Sequence, residues 1–199
     1  MCSKIQLVER LVRRKGKVRV RDLQERGLPV SYLSLLTNQG RLVRLARGIY
    51  APADQEIDSN HDWQLACLRI PKGVICLLSA LVYHEIGTQA PKAVWMAIDP
   101  KARRPKVDYP PLRIVRFSGR ALTHGVREER SVGGCVRIYD PAKTVADCFK
   151  YRRKVGLDVA VEALREGWRA KKFTLAQLDE AARVCRVHRV MQPYLEMLP

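Results

Sequence analysis

The side chains best suited to chemistry lie in the first fifty residues, and their types favour binding of a polyanion. Residues 1–50 hold twelve Lys and Arg against three Asp and Glu, a balance of +9 in a chain whose formal net charge is +17. Three of these cations, Arg41, Arg44 and Arg47, are separated by apolar residues and precede Gly48. A guanidinium at the tip of a hairpin can enter a minor groove or hold phosphates. The charge therefore favours a nucleic-acid partner over its alternative, a basic surface that serves solubility alone.

A short segment before these arginines carries groups that could bond to bases. It begins at Ser31, a good helix N-cap, ends at Gly40, and directs Leu33 and Leu36 inward at helical spacing. The side chains left facing outward are polar: Tyr32, Ser34, Thr37 and Asn38. Hydroxyls suit phosphates or several bases, and an Asn amide can bond to the edge of adenine. For each residue a phosphate contact is an equal alternative, and Tyr32 could instead pack against the preceding helix.

Cations ahead of the second helix complete the predicted DNA-binding surface, unless they form only a solvated face. The predicted site residues are Lys15, Lys17, Arg19, Ser31, Tyr32, Ser34, Thr37, Asn38, Arg41, Arg44 and Arg47. Arg47 is the strongest single candidate, because a hairpin tip commonly reaches a groove or phosphates.

Three helices and a hairpin must position these residues. Apolar residues at helical spacing predict a helix over residues 4–14, a second short helix fits residues 20–25, and a third begins at residue 31. Gly27 suits a left-handed turn between the last two helices, and two short strands flank the turn Ala46-Arg47-Gly48. This order of elements predicts a winged helix-turn-helix.

The acidic, polar stretch from Pro52 to Asn60 predicts a linker between two domains, residues 1–52 and residues 60–199. In the second domain, strands are predicted at residues 74–77, 93–98, 112–117, 126–132 and 135–139, and helices at residues 62–69, 79–85, 140–153, 156–168, 174–184 and 187–197. Asp140 and Thr174 are predicted helix caps, and Gly133-Gly134 a hairpin turn. The predicted fold class is α+β: a winged helix-turn-helix followed by a mixed α/β domain with a helical C-terminal half.

Signals of catalysis and of cofactor binding are missing from the sequence, so no enzyme, metal site or cofactor is predicted. His61, His84, His124 and His188 lack metal-ligand spacing, and the six cysteines form no C-x-x-C pair. No Gly-rich phosphate loop and no G-x-S-x-G motif occurs. One further charged feature is a basic loop with Lys101, Arg103, Arg104 and Lys106. This loop could bind a partner, either nucleic acid or an acidic protein surface, or simply be exposed.

No targeting or membrane segment is predicted. The N-terminus leads into an amphipathic segment rather than an apolar signal region. No apolar run reaches the roughly 18 residues of a membrane span. We expect a cytoplasmic protein without a membrane partner.

Four segments resemble the AbiEi antitoxins of type IV, or abortive-infection, toxin–antitoxin systems, and together they span nearly the whole chain. They are residues 40–50 of the hairpin region, residues 78–84, Pro91 with the strand at residues 94–98, and residues 140–147. In the last segment the family usually has Arg-Thr before a final apolar-Asp element, whereas this chain has Lys143-Thr144.

The resemblance implies two functions. The winged domain would repress its own operon by binding inverted repeats in double-stranded DNA, as a monomer that binds cooperatively. The second domain would neutralise a cognate toxin, the nucleotidyltransferase-like AbiEii. Two alternatives stay open: a plain transcriptional regulator whose second domain binds a ligand or another protein, and a nucleic-acid-processing enzyme.

Overall fold

The computed structural model describes residues 3–54, 60–131 and 134–198, and it divides the chain into two compact units. The N-terminal unit comprises Met1–Leu68 with Arg130–Cys135, and the C-terminal unit comprises Arg69–Glu129 with Val136–Pro199. The first helix after the predicted linker and the end of a later hairpin thus group with the N-terminal residues. The centre of that linker, residues 55–59, and Gly133 of the predicted hairpin turn lie outside the described residues. The predicted division into residues 1–52 and residues 60–199 remains a prediction.

The N-terminal unit places its helices before its hairpin, in the order predicted. Its elements are α1 (Lys4–Lys15), β1 (Val18–Arg19), α2 (Val20–Gln24), α3 (Ser31–Asn38), β2 (Leu42–Ala46) and β3 (Ile49–Pro52), and α4 (His61–Arg69) begins in it. Strand β3 pairs antiparallel with both β1 and β2. The extended residues before α2 therefore form the third strand of a small sheet.

Local signals set the ends of these helices. The Ser3 side chain accepts from the backbone of Gln6, and the Gln6 side chain accepts from Ser3 in return, which satisfies two N–H groups at the start of α1. After α2, Gly27 has a φ of +63°, and the N–H of Leu28 donates to the carbonyl of Leu23 at 3.0 Å. Only a residue without a Cβ adopts this left-handed turn at no steric cost, so the predicted role of Gly27 is confirmed.

The core of the N-terminal unit lies between the three helices and the hairpin. Its buried members are Val8, Leu11, Val12, Val18, Leu23, Leu33, Leu36 and Leu42. Because α1 and α3 each contribute a stripe of apolar residues at helical spacing, they pack on each other and leave their opposite faces in solvent.

A mixed five-stranded sheet runs through the C-terminal unit in the order β6-β5-β4-β8-β7. The strands are β4 (Val74–Ile75), β5 (Val94–Ile98), β6 (Leu112–Arg116), β7 (Val126–Ser131) and β8 (Gly134–Tyr139). Strand β4 pairs antiparallel with β5 and parallel with β8, and β5 pairs parallel with β6. The helices are α5 (Leu77–Tyr83), α6 (Arg120–Thr123), α7 (Pro141–Lys150), α8 (Arg152–Val155), α9 (Leu157–Arg169), α10 (Leu175–Cys185) and α11 (His188–Leu195). The α+β class and the helical C-terminal half are confirmed.

Helix α7 is the centre of the C-terminal unit. The Asp140 side chain caps its first turn, Pro141 occupies the first helical position, and residues 141–149 are buried. Helices α5, α9 and α10 pack around it. Among the described residues, every helix is too short or too polar to span a membrane.

Three local predictions differ from the structure. Strand β4 ends at Ile75 and α5 begins at Leu77, two residues earlier than predicted, because a continuous apolar run has no period that separates strand from helix. Helix α7 ends at Lys150 rather than at residue 153, and Arg152–Val155 form a separate short helix. Helix α6 was not predicted, since four residues are too few to show helical periodicity.

Candidate nucleic-acid interface

Helix α3 carries a polar face that is open to solvent. Leu33 and Leu36 are fully buried, as predicted. Ser31, Ser34 and Asn38 are exposed, and their i, i+3 and i+7 spacing places them on one side of the helix. The structure therefore brings these three predicted residues together on one surface.

The other two predicted residues of α3 are less available. Tyr32 is half-buried and packs against the apolar cluster of the N-terminal unit, which is the packing alternative raised from the sequence. The Thr37 hydroxyl donates a hydrogen bond of 2.7 Å to the carbonyl of Leu33. Because this bond uses its only proton, Thr37 could accept a hydrogen bond from DNA but could not donate one.

An apolar residue on the same face was missed by the sequence reasoning. Leu35 is 42% exposed and lies four residues after Ser31 and three before Asn38, within the polar face. An apolar side chain in a major groove can contact the methyl group of thymine. The exposure of Leu35 could have been predicted from the helical spacing of residues 31, 35 and 38, because Leu35 faces outward when Leu33 and Leu36 face inward.

The hairpin after α3 presents two arginines without carboxylate partners. Arg47 is exposed in the turn between β2 and β3, and Arg44 is exposed on β2. Within the described part of the chain, neither forms an ion pair. The register shifts between Arg44 and Ala46, so one extra residue bulges out of β2 beside the turn. Both guanidiniums are thus available to phosphates.

Arg41 differs from these two because it already has a partner. Its guanidinium contacts the carboxylate of Glu9 on α1, and that carboxylate also lies 3.9 Å from Arg13. The pair links the start of the hairpin to α1. Arg41 is therefore partly neutralised.

Asp22 of α2 forms ion pairs with two more of the predicted DNA-binding residues, Lys15 and Arg19. Its carboxylate lies 3.2 Å from the Lys15 ammonium and 3.3 Å from the Arg19 guanidinium, and it accepts a 2.7 Å hydrogen bond from the backbone N–H of Arg19. Burial alone would raise the pKa of Asp22, but the hydrogen bonds from Arg19 and Lys15 outweigh it and hold the pKa below its ordinary value. Two cations therefore share one charged carboxylate at neutral pH, which leaves a local excess of one positive charge.

Lys17 is placed in the interior rather than at the surface. It is 4% exposed, and its ammonium donates to the side-chain oxygen of Gln64, which is fully buried. The alternation of the sequence around Lys17 suggested a cation beside the phosphates. Its placement instead gives it a buried hydrogen-bonding role within the N-terminal unit and does not favour a phosphate contact.

The basic loop of the C-terminal unit has exposed cationic side chains, and hydrogen bonds hold its first residues. Arg116 on β6 donates from Nη1 to the carbonyls of Asp99, Pro100 and Ala102 at 2.9, 2.7 and 2.9 Å. All four predicted partner-binding residues are exposed: Lys101, Arg103, Arg104 and Lys106. Arg116 thus holds the start of the loop, residues 99–102, and Arg103, Arg104 and Lys106 follow that segment.

The most polar cluster in the C-terminal unit is closed to solvent. Lys143 Nζ lies 2.6 Å from the Asp147 carboxylate, and both residues are fully buried. The ammonium also lies over the rings of Tyr139 and Phe117, with distances to the ring centroids of 4.1 and 4.8 Å. Burial raises the pKa of Asp147, and the neighbouring ammonium opposes that shift. Lys143, which stands where the resembling family usually has Arg, thus balances a carboxylate within the core.

His84 is another polar residue, partly buried, with a partner in the fold. Its Nε2 lies 2.7 Å from the carbonyl oxygen of Tyr139, and burial lowers its pKa. Among the described residues, no group of three His, Cys, Asp or Glu side chains is placed to hold a metal ion.

A comparison with models of protein families finds a match for the first part of the chain. Residues 6–53, which contain most of α1 together with α2, α3 and the hairpin, match a family model of transcriptional regulators. That model is described as "Transcriptional regulator, AbiEi antitoxin", so the resemblance to the AbiEi family is confirmed over these residues. Residues 6–53 of the N-terminal unit are therefore similar to the regulators of that family.

The fold has a counterpart among solved structures. The crystal structure of the RV2827C protein from Mycobacterium tuberculosis is similar, with a TM-score of 0.58 over 98% of this chain and 80% of that one, at 15% sequence identity. At this identity the likeness concerns the fold alone. No curated protein matches the chain significantly.

Proposed function

We propose that the protein is a winged helix-turn-helix repressor of its own operon and the antitoxin of a nucleotidyltransferase-like toxin. Its DNA partner is a pair of inverted repeats in the operator, which monomers fill cooperatively in the cytoplasm. Its protein partner is a cognate AbiEii-type toxin. In this proposal the chain acts by binding and has no catalytic role.

The observation that carries the DNA-binding half is the placement of α3 beside the hairpin. Ser31, Ser34 and Asn38 offer hydrogen-bonding groups on one exposed face. Arg44 on β2 and Arg47 in the turn after it are also exposed, and neither forms an ion pair among the described residues. Helix α3 and strand β2 pack against each other, so the two features belong to one surface. In the proposed complex α3 enters the major groove, and the hairpin tip contacts phosphates or the neighbouring minor groove.

Fluorescence anisotropy with the duplex upstream of the gene tests this half. If on the order of five phosphates are neutralised, the logarithm of the binding constant falls against the logarithm of salt with a slope of about −4 to −5. The variant R44A/R47A should weaken binding to all sequences, whereas N38A should relax the preference for adenine at one position. Arg165→Gln on α9 is the control, because Arg165 is an exposed cation of the C-terminal unit. A flat salt dependence would exclude the electrostatic interface.

The antitoxin half is supported by the family match and by the exposed basic loop. The loop offers four exposed cations, which suit an acidic protein surface: Lys101, Arg103, Arg104 and Lys106. We propose that the toxin contacts this loop.

Co-expression of the full chain with its toxin, from a promoter that the protein does not control, tests this half. The variant R44A/R47A should still protect cells, because its defect concerns DNA. Replacement of the four loop cations by alanine should abolish protection and leave operator binding within a factor of about two. Failure of the unaltered chain to protect cells would leave a plain transcriptional regulator as the function.

A further inference from the structure

The C-terminal unit contains a cavity with a mainly cationic wall. Its volume is about 560 Å³, and it is bordered by the residues that follow β6 and by the C-terminal ends of α7 and α10. The polar and charged residues that line it are Ser118, Arg120, Lys150, Glu180, Arg183 and Arg186. Four cations against one carboxylate give this wall an excess of three positive charges.

Ion pairs account for only part of this charge. The Glu180 carboxylate lies 3.6 Å from Arg120 and 3.7 Å from His124, and Arg183 contacts Asp179 at 2.8 Å. Within the described residues, Lys150 and Arg186 have no carboxylate partner. The two cations at the ends of α7 and α10 are therefore available to an anion inside the cavity.

Arg186 stands at a backbone position that favours glycine. Arg186 follows α10 with a φ of +59°, and the next residue, Val187, donates to the carbonyl of Ala182 at 2.8 Å. The same turn ends α2 at Gly27 and α3 at Gly40, where glycine adopts it without steric cost. At the cavity, arginine occupies this position although glycine would fit the backbone better.

We propose that this cavity binds a phosphorylated small molecule with at least two negative charges, held by Lys150 and Arg186. A guanidinium matches the geometry of a phosphate, and an ammonium adds a point charge beside it. The Ser118 hydroxyl can donate to a remaining phosphate oxygen. The volume lies within the range of small-molecule sites and suffices for a diphosphate or a nucleotide. Such a ligand would give the regulator a second input besides the toxin, which goes beyond the proposed function.

Isothermal titration calorimetry of the full chain with inorganic pyrophosphate, at constant ionic strength, tests the proposal. We expect saturable binding of one ligand per chain. R186G and K150Q should each weaken it by about tenfold, as expected for the loss of one charge-assisted contact. Titration with ADP identifies the source of the phosphates: tighter binding than pyrophosphate indicates a nucleotide, and equal binding indicates the diphosphate group alone.

Lys171 supplies the matched control. It is also a cation with a positive φ, +51°, at the end of a helix, but it does not line this cavity. R186G and K171G should both melt no lower than the unaltered protein, because glycine relieves the same backbone strain at each position. Only R186G should lose pyrophosphate.

Three results would overturn the proposal. One is the absence of saturable binding. Another is an equal affinity in R186G and K171G, which would mean that Arg186 serves only the carbonyl end of α10. The third is a loss of duplex DNA binding in R186G together with no pyrophosphate binding, which would assign the cations to the DNA backbone.

Discussion

Helix α3 of the N-terminal unit and helix α7 of the C-terminal unit both contain polar and apolar residues. They differ in whether the polar residues face solvent or the protein interior. In α3 the polar residues Ser31, Ser34 and Asn38 face solvent. In α7 the polar residues Lys143, Thr144 and Asp147 are fully buried, and the two charged ones are paired. The polar groups of α3 are therefore open to a partner. Within α7, Lys143, Thr144 and Asp147 already have partners in the fold, and Lys150 at the end of the helix is exposed.

The net charges of the two units do not distinguish them in the way that the exposure of their polar groups does. The N-terminal unit holds 13 Lys and Arg against seven Asp and Glu, and the C-terminal unit holds 24 against 13, so their net charges are +6 and +11. The excess of the first fifty residues is partly offset by the acidic residues that follow them. Net charge by itself thus does not favour the N-terminal unit for the proposed DNA binding. What favours it is a pair of exposed arginines, which form no ion pair among the described residues, beside an exposed polar helix.

The largest expected effect concerns α7. Lys143→Ala removes one partner of a buried ion pair and leaves the Asp147 carboxylate without its cation, which should lower the free energy of unfolding by about 3–5 kcal/mol. Urea denaturation followed by circular dichroism measures it. The double variant K143M/D147L should recover most of the loss, because no buried charge then remains. A loss below about 1 kcal/mol for Lys143→Ala would show that Asp147 is neutral or hydrated in the folded chain.

An intermediate effect is expected for the hairpin of the N-terminal unit. Arg47→Ala should weaken operator binding by about 1–3 kcal/mol, because it removes a groove or phosphate contact. The melting temperature should not change, since Arg47 is exposed and has no ion-pair partner within the described residues. Gel-shift titration and thermal melting measure the two quantities. Unchanged affinity would mean that the hairpin tip does not touch DNA.

A smaller expected effect is a fall in stability between pH 7 and pH 5, which we expect from His84 of the C-terminal unit and not from Asp22 of the N-terminal unit. Burial lowers the pKa of His84, so the unfolded chain takes up its proton first, and stability falls as the pH drops below about 6.5, the ordinary value for histidine. The pKa of Asp22 is also lowered, so its contribution is complete above about pH 3.9 and is lost only below it. Urea midpoints between pH 7 and pH 5 should therefore decline in the unaltered protein and in D22N, but less in H84Q. An equal decline in H84Q would assign this titration to another group.

The smallest expected effect is on the exposed face of α3. Ser34→Ala should change the free energy of unfolding by less than about 0.5 kcal/mol, because Ser34 is exposed and alanine favours a helix at least as well. Thermal melting beside Lys143→Ala provides the direct contrast. A loss as large as that of the α7 variant would mean that the polar face of α3 is part of the core of the fold and not a free surface.

Features that depend on near neighbours in the chain could be predicted from the sequence. Apolar spacing located α1, α3 and most later helices, Gly27 marked the turn after α2, and Asp140 with Pro141 marked the start of α7. The segment that matches the AbiEi family model was also recognisable in advance, because its helices and hairpin follow one another without insertions. Such signals act within a few residues, so the linear order contains them.

Which charged groups are buried or already paired could be seen only from the three-dimensional packing. Lys17 is buried because its ammonium meets Gln64, 47 residues away, and Arg41 is engaged because α1 brings Glu9 to it from 32 residues away. The cavity at Lys150 and Arg186 likewise forms where the ends of two separate helices meet. Burial and ion pairing depend on distances in space between residues far apart in the chain. A pattern of neighbours therefore shows where a cation is, and only the packing shows whether it is still available.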